Sequence, residues 1–118
     1  TKPEIVVRKM LRAIAPGYRL HRDDLPGKPD VAWLGRERAL FVHGCFWHGH
    51  DCARGARTPR TNAAYWRAKI ARNVARDAMH RAALKRAGWT SLVIWECELR
   101  APERVARRLE RFTRPLRP

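Results

Sequence analysis

Ten consecutive residues, His43-Gly44-Cys45-Phe46-Trp47-His48-Gly49-His50-Asp51-Cys52, hold three histidines and two of the chain's three cysteines. Structural Zn²⁺ is commonly bound by four nitrogen and sulfur donors, and short spacings let one loop supply several. Cys45, His50 and Cys52 form a C-x₄-H-x-C run. Cys97, far along the chain, can supply a fourth donor and staple the loop to the sheet. An odd number of cysteines argues against a closed disulfide framework and makes metal the better reading. His43 and His48 stand outside that zinc set. A histidine just past an apolar strand can contact a phosphate or move a proton near neutral pH.

Carboxylates give a second set. Pro29-Asp30 opens an apolar stretch, and Asp30 is a candidate Mg²⁺ ligand because hard divalent cations prefer oxygen. The pair matches the first half of the PD…(D/E)xK pattern of restriction endonucleases. The next strand reads Phe41-Val42-His43, with neither the second acid nor the lysine. Further on, Trp66, Ile70, Asn73, Asp77 and Leu84 share one face of a helix. A carboxylate on a core-facing stripe needs a partner. A histidine is one candidate for Asp77; Arg76 or Arg81 is another. Phe46-Trp47 and Tyr65-Trp66 set aromatic rings beside basic residues, a pattern suited to stacking on bases or wedging between them. Arg54, Arg57, Arg60 and Arg67 offer phosphate contacts or simply a solvated face.

These groups must be positioned by a small fold. A chain of 118 residues, 45 % hydrophobic, has material for one packed core and no second one. Thr1-Lys2-Pro3-Glu4 reads as a helix start with Thr1 as cap. Ile5, Met10, Leu11 and Ile14 continue a rough apolar stripe, and Ala15-Pro16-Gly17 ends it. Tyr18–His21 suits a short strand. Asp30–Leu34 and Ala39–His43 form two apolar strands about Gly35-Arg36-Glu37, close enough for a hairpin. From Gly44 to Arg60 no period holds, and a loop of that length inside a small domain usually has a function. A long helix is expected from about Asn62 to Arg86, with Thr61 as cap and Gly88 as stop. Trp89–Trp95 reads as a buried strand, Pro102–Phe112 as a basic helix, and Thr113–Pro118 as a frayed end. The order α-β-β-β-α-β-α predicts an α/β domain with a mixed sheet flanked by helices. Core packing is the expected place of Trp33, Phe41, Trp89 and Trp95.

Charge points to the partner. Lys plus Arg number 26 against 11 Asp plus Glu, a net +15. Such a balance fits a polyanion, most often DNA or RNA. The longest apolar runs, such as Ser91–Trp95, are far short of the roughly 20 residues of a membrane span. The sequence opens at Thr1 on a charged amphipathic stretch, which does not read as a signal peptide.

Taken in order, several segments resemble the very short patch repair endonucleases: Thr1–Glu4, Tyr18–His21, Leu25–Asp30, Val42–His50, Trp66–Asp77 and Gly88–Cys97. The HGCFWHxH and WEC segments are the specific ones. The resemblance implies a single restriction-endonuclease-like domain over residues 1–118 with a structural zinc. It implies a Mg²⁺-dependent enzyme that nicks double-stranded DNA 5′ of the T in a T:G mismatch. Asp30 would ligate the catalytic Mg²⁺, and Val42 would offer it a main-chain carbonyl. His43 would contact the scissile phosphate region. His48 would be the general base, oriented by Asp77, and Glu4 would reach the metal through water. Cys45, His50, Cys52 and Cys97 would hold the zinc, and Phe46, Trp47 and Trp66 would wedge beside the mismatched pair. A histidine-based arrangement would thus replace the missing (D/E)xK.

The resemblance also implies a bacterial, cytoplasmic, nucleoid-associated monomer, with other mismatch-repair proteins as candidate partners. Family members usually carry a further basic segment ahead of the position of Thr1. The Gly- and Arg-rich stretch from Ala53 to Arg60 is a further departure. Two other readings stay open at this point. One is a nuclease with a different DNA target, in restriction or defence. The other is a zinc-stabilised DNA-binding module without catalysis.

Overall fold

The computed structural model describes residues 2–53, 55–57 and 59–114. The proposed cap Thr1, the basic Arg54 and the end 115–118 lie outside the described residues. The elements follow the expected order: α1 (Lys2–Ile14), β1 (Arg19–Leu20), β2 (Val31–Trp33), β3 (Arg38–His43), α2 (Ala63–Arg86), β4 (Thr90–Trp95) and α3 (Pro102–Thr113). They build a four-stranded mixed sheet in the order β1-β2-β3-β4. The β1/β2 and β2/β3 pairs are antiparallel, while β3/β4 is parallel with Val42 opposite Ile94 and His43 opposite Trp95. Parallel pairing requires a crossover, and the loop plus α2 supply it.

Side chains alternate along a strand, so β3 feeds two different layers. Leu40 faces α1 and α3, in a core with Val7, Leu11, Val31, Trp33, Ile94, Val105 and Leu109. Ala39 and Phe41 face the other way and meet Leu84 of α2. His43 continues this second face, which delivers it to the α2 side of the sheet. The Trp33 indole N–H donates to the Ala15 carbonyl at 3.0 Å and closes the first layer.

Several expectations are corrected. Ile5 is exposed and Val7 takes its place in the core, because Val7, Leu11 and Ile14 keep the helical spacing to Glu4 and Ile5 does not. Thr61 does not cap α2; the N-cap is Asn62, in the left-handed region at φ 58° with no side-chain cap bond. The strand expected at 89–95 starts at Thr90 and is only half-buried apart from Ile94. It lies at the sheet edge, and of α2 only Leu84 is fully buried. Trp89 and Trp95 are accordingly half-buried, unlike Trp33 and Phe41. Thr113 is not frayed: it is buried inside α3, its hydroxyl donates to Leu109 O at 2.7 Å, and its carbonyl accepts from Arg36. A 3₁₀ turn at Glu96–Arg100 was not legible in the sequence. The Trp95 N–H donates to Glu98 Oε1 at 2.9 Å, and Arg108 pairs with Glu98, so α3 pins this turn.

Candidate active site and metal centres

Asp30 enters β2 from the turn Leu25–Pro29. Gly27 in that turn has φ +79°, and a Cβ there would lie 2.8 Å from the His80 Cβ. Only glycine combines that conformation with so close an approach to α2. The turn therefore rests on Phe41 of β3 and His80 of α2 and delivers Asp30 to β3. Its Oδ2 accepts the Val42 N–H at 2.7 Å. Burial pushes the Asp30 carboxyl up to about 6, and Glu4 beside it adds to the rise while the Val42 N–H opposes it. Glu4, on the inward face of α1, is buried. Two carboxylates sharing a dry site repel, which favours a proton or a cation between them.

His48 sits opposite. Its Nδ1–H donates to Asp77 Oδ2 at 2.7 Å. Asp77 thus pairs with the loop histidine rather than with Arg76 or Arg81. The bond fixes the tautomer and leaves Nε2 as the basic nitrogen. His43 lies flat on His48, with ring centroids 3.7 Å apart and planes 4° apart. His43 is buried, so it is not a solvated strand end. Its Nδ1 is buried without a hydrogen-bond partner among the described residues. Burial, and then the neighbouring His48, lower its pKa to about 4. His43 is therefore neutral near neutral pH. Asp30, His43, His48 and Asp77 line one cleft of about 170 Å³, and Lys28 and Arg81 join them at its wall.

The loop holding His48 is tied down twice. Gly49 has φ +62°, and a Cβ there would meet Val74 Cγ2 at 2.7 Å, so the loop backbone lies directly on α2. Asn73 adds a bond from Nδ2 to the Trp47 carbonyl at 2.9 Å. The second tie is the cysteine cluster. Donor atoms of Cys45, His50, Cys52 and Cys97 all lie within 4.8 Å of one another. Tetrahedral zinc with sulfur at about 2.3 Å separates its ligands by roughly 3.8 Å, so the set fits with small shifts. Cys97 N–H donates to Cys45 Sγ and Gly55 N–H to Cys52 Sγ, both at 3.4 Å. Such bonds stabilise thiolates. Burial otherwise holds the Cys45 thiol up at about 12, a cost that a bound cation removes. The His50 ring stacks on Trp95 at 4.2 Å, its Nδ1 is 3.5 Å from Cys97 Sγ, and its Nε2 is 3.5 Å from Asp51 Oδ1. A carboxylate near the second nitrogen of a ligating imidazole is a common arrangement around zinc.

Phe46, Trp47 and Trp66 form a mutual edge-to-face cluster, with centroids 5.2 to 5.7 Å apart. Tyr65 extends it at 5.3 Å from Trp66, and the Lys69 ammonium lies 5.7 Å from both tryptophan rings. Trp47 remains half exposed. Phe46 and Trp47 line a second cleft that shares Val42 and His48 with the first. The aromatic cluster and the acid–histidine site therefore adjoin. Histidine and carboxylate pairing, the four-donor cluster and the aromatic group all join residues singled out from the sequence. His21 and Lys28 were missed, and Arg81 was singled out only as an alternative partner for Asp77. His21 follows β1 at φ +49° and its Nε2 reaches Glu4 Oε2 at 3.2 Å. The signal for it was register: Leu20 opposite Val31 sets His21 opposite Asp30.

A family model described as DNA mismatch endonuclease Vsr matches residues 1–54. The type II nicking enzyme V.XorIIP of Xanthomonas oryzae is 50 % identical over 99 residues, covering 84 % of this chain and 72 % of that one. V.NmeAIP of Neisseria meningitidis, also named a type II nicking enzyme, is 38 % identical over 99 % of this chain and 83 % of its own. This chain belongs to the Vsr family. The Vsr endonuclease of Escherichia coli is 35 % identical over 106 residues, 86 % of this chain and 67 % of its own. A Vsr-family chain is a nuclease, and the carboxylate and histidine groups that share the first cleft are its candidate machinery. No helix among the described residues is long and apolar enough to cross a membrane.

Proposed function

We propose that this protein is a Mg²⁺-dependent endonuclease that nicks one strand of duplex DNA 5′ of the T in a T:G mismatch. The observation that carries the reading is the meeting of three groups at the ends of β2 and β3. A carboxylate pair, a histidine oriented by Asp77 and an exposed aromatic cluster stand side by side. Asp30 and Glu4 suit a hard divalent cation, with the Val42 carbonyl as a further oxygen donor. Such an ion would stabilise charge developing on the phosphate. His48 accepts the proton of the attacking water through Nε2, and Asp77 stabilises the ring once charged. Neutral His43, flat against His48, hydrogen-bonds the scissile phosphate region, and Lys28 and Arg81 offset phosphate charge. Phe46, Trp47 and Trp66 wedge beside the mismatched pair.

In the same reading the 118 residues form one restriction-endonuclease-like domain, stapled by zinc on Cys45, His50, Cys52 and Cys97. It acts as a monomer on cytoplasmic, nucleoid DNA beside other mismatch-repair proteins. A nicking assay with Mg²⁺ on T:G and matched duplexes tests it. Nicking 5′ of the mismatched T, lost in Asp30→Ala, is expected. The triple change of Phe46, Trp47 and Trp66 to Ala should erase the preference for mismatch. Equal nicking of the matched duplex would instead favour a different DNA target, and DNA binding without nicking a non-catalytic module.

A further inference from the structure

A nitrogen donor that the preceding mechanism leaves unused stands beside Asp30, one of the residues that line the cleft. Donor atoms of Glu4, His21 and Asp30 all lie within 4.8 Å of one another. In an octahedral ion at about 2.1 Å per bond, neighbouring ligands are about 3 Å apart and opposite ones about 4.2 Å. Small shifts therefore suffice for the three groups to share one ion. His21 is fixed there by backbone rather than by chance. Its N–H donates to the Asp30 carbonyl at 3.1 Å, continuing the β1/β2 register, and its φ of +49° turns the chain away immediately. The Glu4 side chain is 10 % exposed and that of His21 48 %, so the carboxylate is buried while the imidazole stays open to solvent.

We propose that His21 ligates the same divalent cation as Asp30 and Glu4, giving the site a nitrogen donor and a preference for Mn²⁺ over Mg²⁺. The inference rests on the metal-dependent reading of the cleft given above. Mg²⁺ takes oxygen donors almost exclusively, whereas imidazole suits the transition metals. A site of two carboxylates and one imidazole therefore favours the transition ion, while a site of carboxylates, carbonyl and water does not. The alternative role for His21 is an ion pair with Glu4 and nothing more.

Mn²⁺ binding to the full, zinc-loaded chain separates the two, read by electron paramagnetic resonance and by the ¹⁴N modulation of its electron spin echo. Wild type should show ¹⁴N coupling. His21→Gln, which can still hydrogen-bond Glu4, should lose that coupling, weaken Mn²⁺ about tenfold and leave Mg²⁺ competition within about twofold. His43→Asn should keep the coupling, because His43 is not one of the three clustered donors and its ring lies flat on His48 instead. Coupling that is absent in wild type, or that persists in His21→Gln, overturns the assignment while Mg²⁺-dependent nicking would still stand. Mn²⁺ binding equally well to Asp30→Asn would overturn both this inference and the metal site it rests on.

Discussion

His48 and His43 are chemically the same side chain, with ring centroids 3.7 Å apart, and the fold gives them opposite surroundings. His48 receives a carboxylate at 2.7 Å, and His43 receives burial and no partner for Nδ1 among the described residues. A general base contributes typically about 10²–10⁴-fold. His48→Ala should slow single-turnover nicking by about that range with DNA affinity nearly unchanged, and Asp77→Asn should slow it in the same direction. A second consequence is pH-dependent stability. The folded pKa of His43 is depressed to about 4 from its ordinary 6.5. Between those values the unfolded chain binds more protons, so this group's contribution is full above 6.5 and is lost as pH falls toward 4. Asp30 runs the other way. Its folded pKa is raised to about 6 from 3.8, so its contribution is full below 3.8 and is lost as pH rises through 6. Wild type reads the sum. Urea midpoints of the zinc-loaded protein, without added Mg²⁺, should fall less steeply below pH 6.5 in His43→Asn than in wild type. In Asp30→Asn they should lose less on the rise from pH 4 to 6.

Among the elements, α2 does the positioning. Its C-terminal half is anchored by Leu84 under Phe41, and its N-terminal half receives the histidine loop instead of the sheet. One face of the helix thus carries Leu84 into the core, Asp77 to His48, Asn73 to Trp47 and Trp66 to the aromatic cluster. Gly49 is the point of closest approach. Gly49→Ala must place a Cβ within 2.7 Å of Val74 in a left-handed conformation. The expected result is a stability loss of about 1–3 kcal/mol. Nicking should drop along with it because the loop lifts from Asp77. Denaturation midpoints together with nicking rates check both, and Val74→Ala added to Gly49→Ala should restore part of each.

Over the whole molecule the four-donor cluster joins the segments that follow two neighbouring strands. Cys45, His50 and Cys52 come from the loop after β3, and Cys97 from the 3₁₀ turn after β4. These strands are parallel neighbours, so their ends lie at the same edge, and a shared ion there would close the crossover into a ring. One zinc per chain is the expected content by elemental analysis. Cys97→Ser should lose it and much of the folding stability, since binding energy at such a site is folding energy. Chelation of the wild-type protein should lower the melting temperature in the same way and disorder the His48 environment before the α1/α3 core.

The residue types and their spacing made most of the candidate site legible in advance. C-x₄-H-x-C has too many zinc donors in too short a run for an ordinary loop, and a helical stripe with Asp77 on it demanded a buried partner. Element order was equally legible, because period and turn residues are local properties. Tertiary structure alone decided the rest. It chose His48 rather than Arg76 or Arg81 for Asp77, because the choice depends on which surface Gly49 lets the loop touch. It sent His43 inward, because strand parity becomes a direction only once α2 covers one face of the sheet. Thr61 gave way to Asn62 where the loop enters the helix. The end at Thr113 is held by Arg36 across the molecule, a contact no local pattern contains. His21 stayed hidden for the same reason: a two-residue strand has little pattern of its own, and only its pairing with β2 brings an imidazole to Asp30 and Glu4.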